Sequence, residues 1–170
     1  MKSYLDKLAC REEFFRRSAE LRAAGRRVAF TNGCFDLLHA GHVRYLARGR
    51  GLADALFVGV NTDASVRRLK GPSRPLVEER ERAEVLAALE MVDCVTLFDE
   101  PTPLELVLGT RPDVLFKGGD WTKEMIVGAP EVEGWGGRVA VIPLEEGLGT
   151  SVLIERILAR HGAVPGEGRP

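Results

Sequence analysis

Five short apolar runs alternate with segments of helical spacing, and this alternation constrains the fold more than any other feature of the chain. The runs are rich in β-branched residues and cover residues 26–32, 55–61, 94–98, 114–119 and 138–144. Almost continuously apolar runs are typical of parallel strands that helices cover on both faces. The pattern therefore predicts an α/β fold: a doubly wound, Rossmann-like, five-stranded parallel sheet with helices on both faces.

The helical segments occupy residues 42–51, 62–70, 78–90, 102–109 and 150–162. Thr102 and Glu105 have the spacing of a capping box, with Pro103 at the first helical position, so we predict a helix that is capped by Thr102. Strands joined through helices are connected by right-handed crossovers. Ligands are then expected beyond the carboxyl ends of the strands.

Length and charge limit the domain count and the partners. With 170 residues, of which 45% are hydrophobic, the chain can bury one sizeable core, so we expect a single domain. We place a leading helical segment at residues 1–25, the sheet domain at 26–161 and a flexible tail at 162–170. The formal net charge of -1 gives no overall field that would attract nucleic acid or an anionic membrane, and we expect neither as a partner.

The chain lacks the marks of export. Its N-terminus has no apolar leader and no segment approaches about 20 apolar residues, so we expect a soluble, cytoplasmic protein. Cys10, Cys34 and Cys94 are odd in number and include no CxxC pair, which favours reduced thiols over a disulfide framework.

Residues 31–42, TNGCFDLLHAGH, join the first predicted strand to the first crossover helix. A helix start offers unbonded N–H groups and a positive dipole end, and Gly33 and Gly41 allow close approach of a ligand, so a phosphate fits here. His39 and His42 are three residues apart and can project to one side, where imidazoles would donate hydrogen bonds to phosphate oxygens. The alternative is that they are a helix cap and a solvated side chain.

The same residues resemble the HxGH signature of the nucleotidyltransferase superfamily. The stretches GVNTDASVRRLKGPSRP, RAEVLAALEMVDCV and RPDVLFKGGDW are similar to the adenylyltransferase domain of ADP-heptose synthases, which act in lipopolysaccharide biosynthesis. The resemblance implies that residues 26–161 are a nucleotidyltransferase domain, and we expect a stand-alone enzyme that is not fused to a sugar kinase. It implies transfer of AMP from ATP, with Mg²⁺, to D-glycero-β-D-manno-heptose 1-phosphate, and a homodimer or higher homo-oligomer.

The resemblance also implies the roles of particular residues. His39, His42 and Lys70 would be catalytic, and Asp36 and Lys117 would bind the acceptor. The implied nucleotide-binding residues are Thr31, Asn32, Gly33, Phe35, Gly41, Arg82, Gly118, Gly119, Asp120, Trp121, Thr150 and Ser151. No dedicated protein ligand for a metal is implied, since Mg²⁺ is held mainly by phosphate and water.

Each of five assignments has a plainer alternative. Lys70 could be a solvated helix-end cation, and Arg82 a surface ion pair. Trp121 could anchor the core, and Thr150 could only cap its helix. Asp36 could equally contact the acceptor or cap its own turn.

Other functions remain open. The sequence GLGTS departs from the family's Ser-Thr-Thr run and GDW is common in glycerol-3-phosphate cytidylyltransferases, so a cytidylyltransferase acting on that or another small phosphate is an alternative. A nucleotide-binding regulatory module is another. Cys34, His39 and His42 could belong to a zinc site, although a fourth ligand is missing. Cys34 is not expected to be a nucleophile, because a thiolate would add negative charge beside two phosphates.

Overall fold

A computed structural model describes residues 3–119, 121–143 and 147–162. Within them, five parallel strands form one sheet in the order β3-β2-β1-β4-β5. The strands are β1 (Val28–Gly33), β2 (Ala55–Asn61), β3 (Cys94–Phe98), β4 (Val114–Gly118) and β5 (Arg138–Ile142). The helices are α1 (Arg11–Ala23), α2 (Ala40–Arg50), α3 (Asp63–Lys70), α4 (Glu79–Ala87), α5 (Leu104–Thr110), α6 (Ala129–Gly134) and α7 (Thr150–His161), with short 3-10 turns at Tyr4–Lys7 and Lys123–Met125.

The predicted doubly wound sheet is confirmed, and the core explains why the strands are apolar throughout. Every residue of β2 is buried, because helices cover both of its faces. One core cluster contains Leu46 of α2 and Leu86 of α4, whereas the other contains Phe14 of α1, Leu106 of α5 and Val132 of α6. All five apolar runs are therefore two-sided strands, as their composition indicates.

Two local details differ from the sequence predictions. The capping box at Thr102 is wrong: α5 begins at Leu104, Pro103 is its N-cap, and no side chain caps it. The reason is that Val107 donates its N–H to the Pro103 carbonyl at 3.0 Å, which starts the helix one residue later. Helix α6 has no counterpart among the predicted helices, since its six residues are too few to show a helical period.

The leading helical segment packs into the sheet domain. Phe14 of α1 is fully buried, and Ala9 donates its N–H to the Val95 carbonyl at 2.9 Å beside the edge strand β3. Of the predicted tail, only Gly162, where α7 ends, lies within the described residues. Among the helices of the described ranges, none is long and apolar enough to cross a membrane.

The topology fixes where a ligand fits. The chain runs from β1 outward to β2 and β3, and then returns to β4 on the other side of β1. The strand order thus reverses between β1 and β4, and the crevice beyond the carboxyl ends at such a switch point is the usual ligand site of an open α/β sheet.

Candidate active site

A cleft of about 650 Å³ lies at this edge of the sheet. It is bounded by the loop after β1, the end of α3, the loops after β3 and β4, and the start of α7. Its lining includes most of the predicted site residues, namely Asn32, Gly33, Phe35, Asp36, His42, Lys70, Lys117, Gly118, Trp121, Thr150 and Ser151.

The histidine pair stands where α2 begins. His39 is the N-cap of α2, and its Nδ1 accepts a hydrogen bond from the Gly41 N–H at 3.1 Å. The His39 and His42 rings lie side by side, with centroids 3.9 Å apart. A Cβ at position 41 would come within 2.9 Å of the His39 ring, so glycine is required there. His39 thus caps the helix, as the alternative predicted, and the cap holds its ring against His42. His39 itself is not among the residues that line the cleft, and its contact with a phosphate stays a prediction.

The His42 imidazole is neutral at physiological pH. Burial, with a smaller effect of His39, lowers the pKa of His42 to about 4, and burial also lowers the pKa of His39. Phe35 packs edge-on against His42 at 5.4 Å, which contributes to that burial. His42 lines the cleft, and its Nδ1 is buried without a partner among the described residues. A neutral ring there can donate one N–H to a ligand and accept at the other nitrogen.

The loop after β1 is folded tightly over Gly33. Phe35 has a left-handed backbone with φ 48°, and its ring would lie 3.1 Å from a Cβ at Gly33. Asn32 faces the cleft, and its Oδ1 is buried without a hydrogen-bond partner among the described atoms. Thr31 is fully buried, and its hydroxyl lies 2.6 Å from that of Tyr45. It is not among the residues that line the cleft, and its contact with the nucleotide stays a prediction.

Asp36 lines the cleft and binds residues that are distant in sequence. Its side chain is fully buried and forms an ion pair with Arg74 at 2.5 Å. Its carboxylate also accepts the backbone N–H groups of Leu76 at 2.8 Å and Val77 at 2.9 Å. These donors occupy the carboxylate, which therefore binds a distant loop and does not cap its own turn. Direct contact of Asp36 with the acceptor stays a prediction.

Arg82 is likewise a tertiary anchor. Its side chain is fully buried, so the surface ion pair is wrong. The guanidinium donates to the carbonyls of Val77 at 2.9 Å and Asn61 at 2.8 Å, to the carbonyl of Cys34 and to the Asp63 carboxylate at 2.7 Å. Arg82 ties together the loop after β1, the end of β2 and the start of α3, and it is not among the residues that line the cleft. Its contact with the nucleotide stays a prediction.

Two cations at and just after the end of α3 line the cleft. Lys70 is exposed at the end of α3 and lines the cleft, as its predicted role requires. Gly71 follows it with φ 93°, a backbone that favours glycine and ends the helix. Arg74 also lines the cleft and was missed by the sequence reasoning, although it lies within the similar stretch GVNTDASVRRLKGPSRP.

The segment after β4 supplies a third cation and an aromatic wall. Lys117 donates its ammonium to the Asn32 carbonyl at 2.9 Å, and burial lowers its pKa to about 8. Gly118 lines the cleft, whereas Gly119, with φ 101°, turns away and donates to the Ile142 carbonyl. Trp121 is 45% exposed and lines the cleft, so it is not a core anchor. Asp120 lies outside the described residues.

Helix α7 begins at the rim of the cleft, as predicted. Its N-cap is Gly149, without a side-chain cap, so Thr150 is not the cap. Both Thr150 and Ser151 line the cleft, where their hydroxyls and the N–H groups of the first turn can meet an anion.

Sequence reasoning also missed an apolar wall. It consists of Phe98 at the end of β3, the two prolines that follow that strand, and three residues of the segment after β4, namely Pro101, Pro103, Met125, Ile126 and Val127. For Phe98, Pro101 and Pro103, the position at or just after a predicted strand end was the available signal.

Cys34 lines the cleft, and the three cysteines are free. Burial raises the pKa of the Cys34 thiol, with a smaller opposing effect of Lys70. The thiol is therefore protonated at neutral pH and a poor nucleophile, in line with its predicted packing role. Within the described ranges, no three or more His, Cys, Asp or Glu side chains are grouped to hold a metal ion, so the zinc alternative finds no support there.

Two curated relatives are similar over most of this chain. The bifunctional protein HldE of Syntrophotalea carbinolica is 59% identical over 140 residues, which cover 82% of this chain and 29% of that protein. The bifunctional protein HldE of Methylobacillus flagellatus is 52% identical over 152 residues, or 89% of this chain and 31% of that protein. The chain thus spans about 30% of the length of these relatives.

Two solved structures are similar in fold. A lipopolysaccharide core biosynthesis protein from Thermoplasma volcanium matches 71% of this chain and 98% of its own, with a TM-score of 0.59 and 25% identity. A pantoate-beta-alanine ligase from Francisella tularensis matches 88% of this chain and 72% of its own, with a TM-score of 0.62, but at 16% identity it supports the fold alone. The cytidylyltransferase-like family model matches residues 30–148, well over half of the chain, and includes both histidines. This chain therefore belongs to the cytidylyltransferase-like family.

Proposed function

We propose that this chain is a nucleotidyltransferase that transfers AMP from ATP to D-glycero-β-D-manno-heptose 1-phosphate, giving ADP-heptose and pyrophosphate. The observation that carries the proposal is the His39–His42 pair at the start of α2, beside a cleft that Lys70, Arg74 and Lys117 line. Support for the substrates comes from the motif resemblance to ADP-heptose synthases and from the similarity to the HldE proteins and the lipopolysaccharide core protein.

The reaction follows from where charge develops. A phosphate oxygen of the sugar 1-phosphate forms a bond to the α-phosphorus of ATP, while the bond from that phosphorus to the bridging oxygen breaks and pyrophosphate leaves. Negative charge grows on the α-phosphoryl oxygens and on the leaving group. N–H donors of the two imidazoles and of the α2 start would stabilise it, and the cleft walls would hold the reactants in line.

The charge balance of the cleft suits two anionic reactants. Among its described lining residues, Lys70, Arg74 and Lys117 are basic, and Asp36 is the only carboxylate. Because Asp36 is bonded to Arg74 and to two backbone N–H groups, it presents little negative charge to a ligand. The neutral His42 imidazole adds an N–H donor to the cleft and needs no counter-ion, because it carries no charge.

Mg²⁺ would enter with ATP. The described cleft offers no carboxylate for direct coordination, since the oxygens of Asp36 are occupied. Such a donor set fits an ion held by phosphates and water, with hydroxyls such as those of Thr150 and Ser151 within the same cleft. The metal would neutralise phosphate charge. Use of ATP favours a cytoplasmic location, and a homodimer or higher homo-oligomer follows from the family resemblance.

The second candidate is a cytidylyltransferase acting on glycerol 3-phosphate or another small phosphate, which the family match and the residues Gly119 to Trp121 favour. The test is pyrophosphate release from ATP, CTP, GTP and UTP, each combined with heptose 1-phosphate and with glycerol 3-phosphate. We expect ATP with the heptose phosphate to give the highest kcat/KM. A preference for CTP with glycerol 3-phosphate would change the assigned substrates but leave nucleotidyl transfer as the reaction. If no pair released pyrophosphate, a regulatory nucleotide-binding module would be favoured.

A further inference from the structure

We propose that Arg74 binds the phosphate group of the acceptor and that Asp36 positions its guanidinium for this contact. The inference rests on the proposed transfer to a sugar 1-phosphate, and it assigns the binding of that phosphate to a residue outside the HxGH loop. This role would also explain why the fully buried Asp36 carboxylate lies at a cleft that is suited to anions.

The geometry holds Arg74 in one orientation. Its Nε donates to Asp36 Oδ2 at 2.5 Å, and the Asp36 carboxylate is itself fixed by the Leu76 and Val77 N–H groups. This bond uses one of the five N–H donors of a guanidinium. The two Nη groups have no hydrogen-bond partner among the described residues, and the side chain, 16% exposed, lines the cleft.

Its position in the cleft indicates which phosphate it would meet. Arg74 is bonded to Asp36 in the loop after β1, and Lys70 ends the helix that follows β2. Thr150 and Ser151 begin the helix that follows β5, which lies on the other side of β1 in the sheet. Attacking and leaving groups stand on opposite sides of the α-phosphorus in an in-line transfer. If the α7 start holds the leaving pyrophosphate, the attacking phosphate lies on the side of Arg74.

The chemistry favours arginine at such a place. A guanidinium presents paired N–H donors in a plane that matches two phosphate oxygens, whereas the ammonium of lysine acts as a point charge. Pre-orientation by Asp36 lowers the conformational entropy that binding must remove. If the Arg74–Asp36 salt bridge only stabilised the loop that carries Arg74, the guanidinium would not need to line the cleft.

The first experiment compares Arg74→Lys, Arg74→Gln and the control Arg80→Gln, since Arg80 is an exposed arginine on α4 outside the cleft lining. We expect Arg74→Lys to raise KM for heptose 1-phosphate about tenfold or more, with KM for ATP changed less than about threefold. Arg74→Gln should raise the acceptor KM further, and Arg80→Gln should change neither. Equal changes in the two KM values, or an unchanged acceptor KM, would overturn the proposal.

A second measurement does not depend on turnover. Calorimetric titration with inorganic phosphate should give binding to the wild-type chain and to Arg80→Gln, and binding at least about tenfold weaker to Arg74→Lys and Arg74→Gln. Thermal unfolding of each variant verifies that it is folded. Equal phosphate affinity in a folded Arg74→Gln variant, or no phosphate binding by the wild type, would overturn the inference about Arg74 even if the transferase reaction is established. Failure of the transferase reaction with normal phosphate binding would instead count against the proposed function.

Discussion

Gly49→Ala should show that the position of α2, and with it the histidine pair, is set by contact with β4. Gly49 is buried on α2, and an added Cβ would lie 2.0 Å from Cζ and 2.3 Å from Cε2 of Phe116. Ordinary carbon contacts lie at about 3.5 Å, so the helix or the ring must move by more than about 1 Å. Phe116 is fully buried, and Tyr45 packs on it with ring centroids 5.0 Å apart, which leaves the ring little room to turn.

The magnitude follows from two opposing effects. Overpacking a core by one methyl group costs about 1–3 kcal/mol, while replacing a helical glycine by alanine returns about 0.5–1 kcal/mol. We therefore expect Gly49→Ala to lower the free energy of unfolding by about 1–2 kcal/mol, measured by urea denaturation. Because a misplacement of about 1 Å in a catalytic group can cost about 10²-fold, kcat should fall by a comparable factor.

Gly134→Ala is the matched control. Gly134 ends α6, and no atom lies within 4 Å of the position that an added methyl group would take, so this variant should be as stable as the wild type or slightly more stable, with unchanged kcat. A Gly49→Ala protein with wild-type stability and wild-type turnover would refute the claim that contact with Phe116 fixes α2.

Four further predictions concern the cleft itself. His42→Ala, and likewise His39→Ala, should lower kcat by about 10²–10³ with little change in ATP affinity, in steady-state kinetics; a folded variant at near wild-type rate would count against the phosphate site. Burial lowers the pKa of His42 to about 4, so below about pH 6.5 the unfolded chain binds a proton that the native state does not bind. The free energy of unfolding of the wild type should therefore decrease as the pH falls from about 6.5 to about 4, and in urea denaturation the His42→Gln variant should show a smaller decrease. Because the pKa of Lys117 is about 8, the acceptor KM should rise as the pH increases through that value in the wild type and stay flatter in Lys117→Arg; parallel profiles would contradict this. Cys34→Ser should keep at least about a tenth of the wild-type kcat, and a trapped nucleotidyl-cysteine adduct would move the chemistry to the thiol.

The strands were predictable because their signal is local. Each run is apolar on both faces, as burial under two helix layers demands, so β2 and β3 begin and end at the predicted residues. The predicted start of α5 was one residue too early, because Thr102, Pro103 and Glu105 have the spacing of a capping box whereas the helix begins at Leu104. Sequence pattern alone does not choose between two adjacent helix starts.

The site was predictable where one segment carries the chemistry. Gly33, His39, Gly41 and His42 lie on one strand end and one helix start, and the structure places Gly33 and His42 in the cleft lining with His39 beside His42. The contacts that the sequence did not predict are those of residues whose partners are distant in sequence.

Asp36 illustrates that limit. Its donors come from residues 74–77, and nothing in the HxGH loop indicates that this carboxylate will be buried beneath them. For the same reason nothing in the sequence indicated that Arg82, which was predicted to bind the nucleotide or else to form a surface ion pair, would join three segments of the chain. Arg74 was missed because only its pairing with Asp36 aims it at the cleft.

An isotope experiment tests the central claim, direct transfer of AMP to the sugar phosphate, most directly. Heptose 1-phosphate labelled with ¹⁸O at its non-bridging phosphate oxygens is incubated with ATP and the purified chain, and the products are analysed by mass spectrometry and ³¹P NMR. If the sugar phosphate attacks the α-phosphorus, ADP-heptose retains the whole label, one labelled oxygen bridges the two phosphorus atoms, and pyrophosphate carries none. Label in the pyrophosphate, or labelled heptose phosphate recovered without any ADP-heptose, would contradict the account.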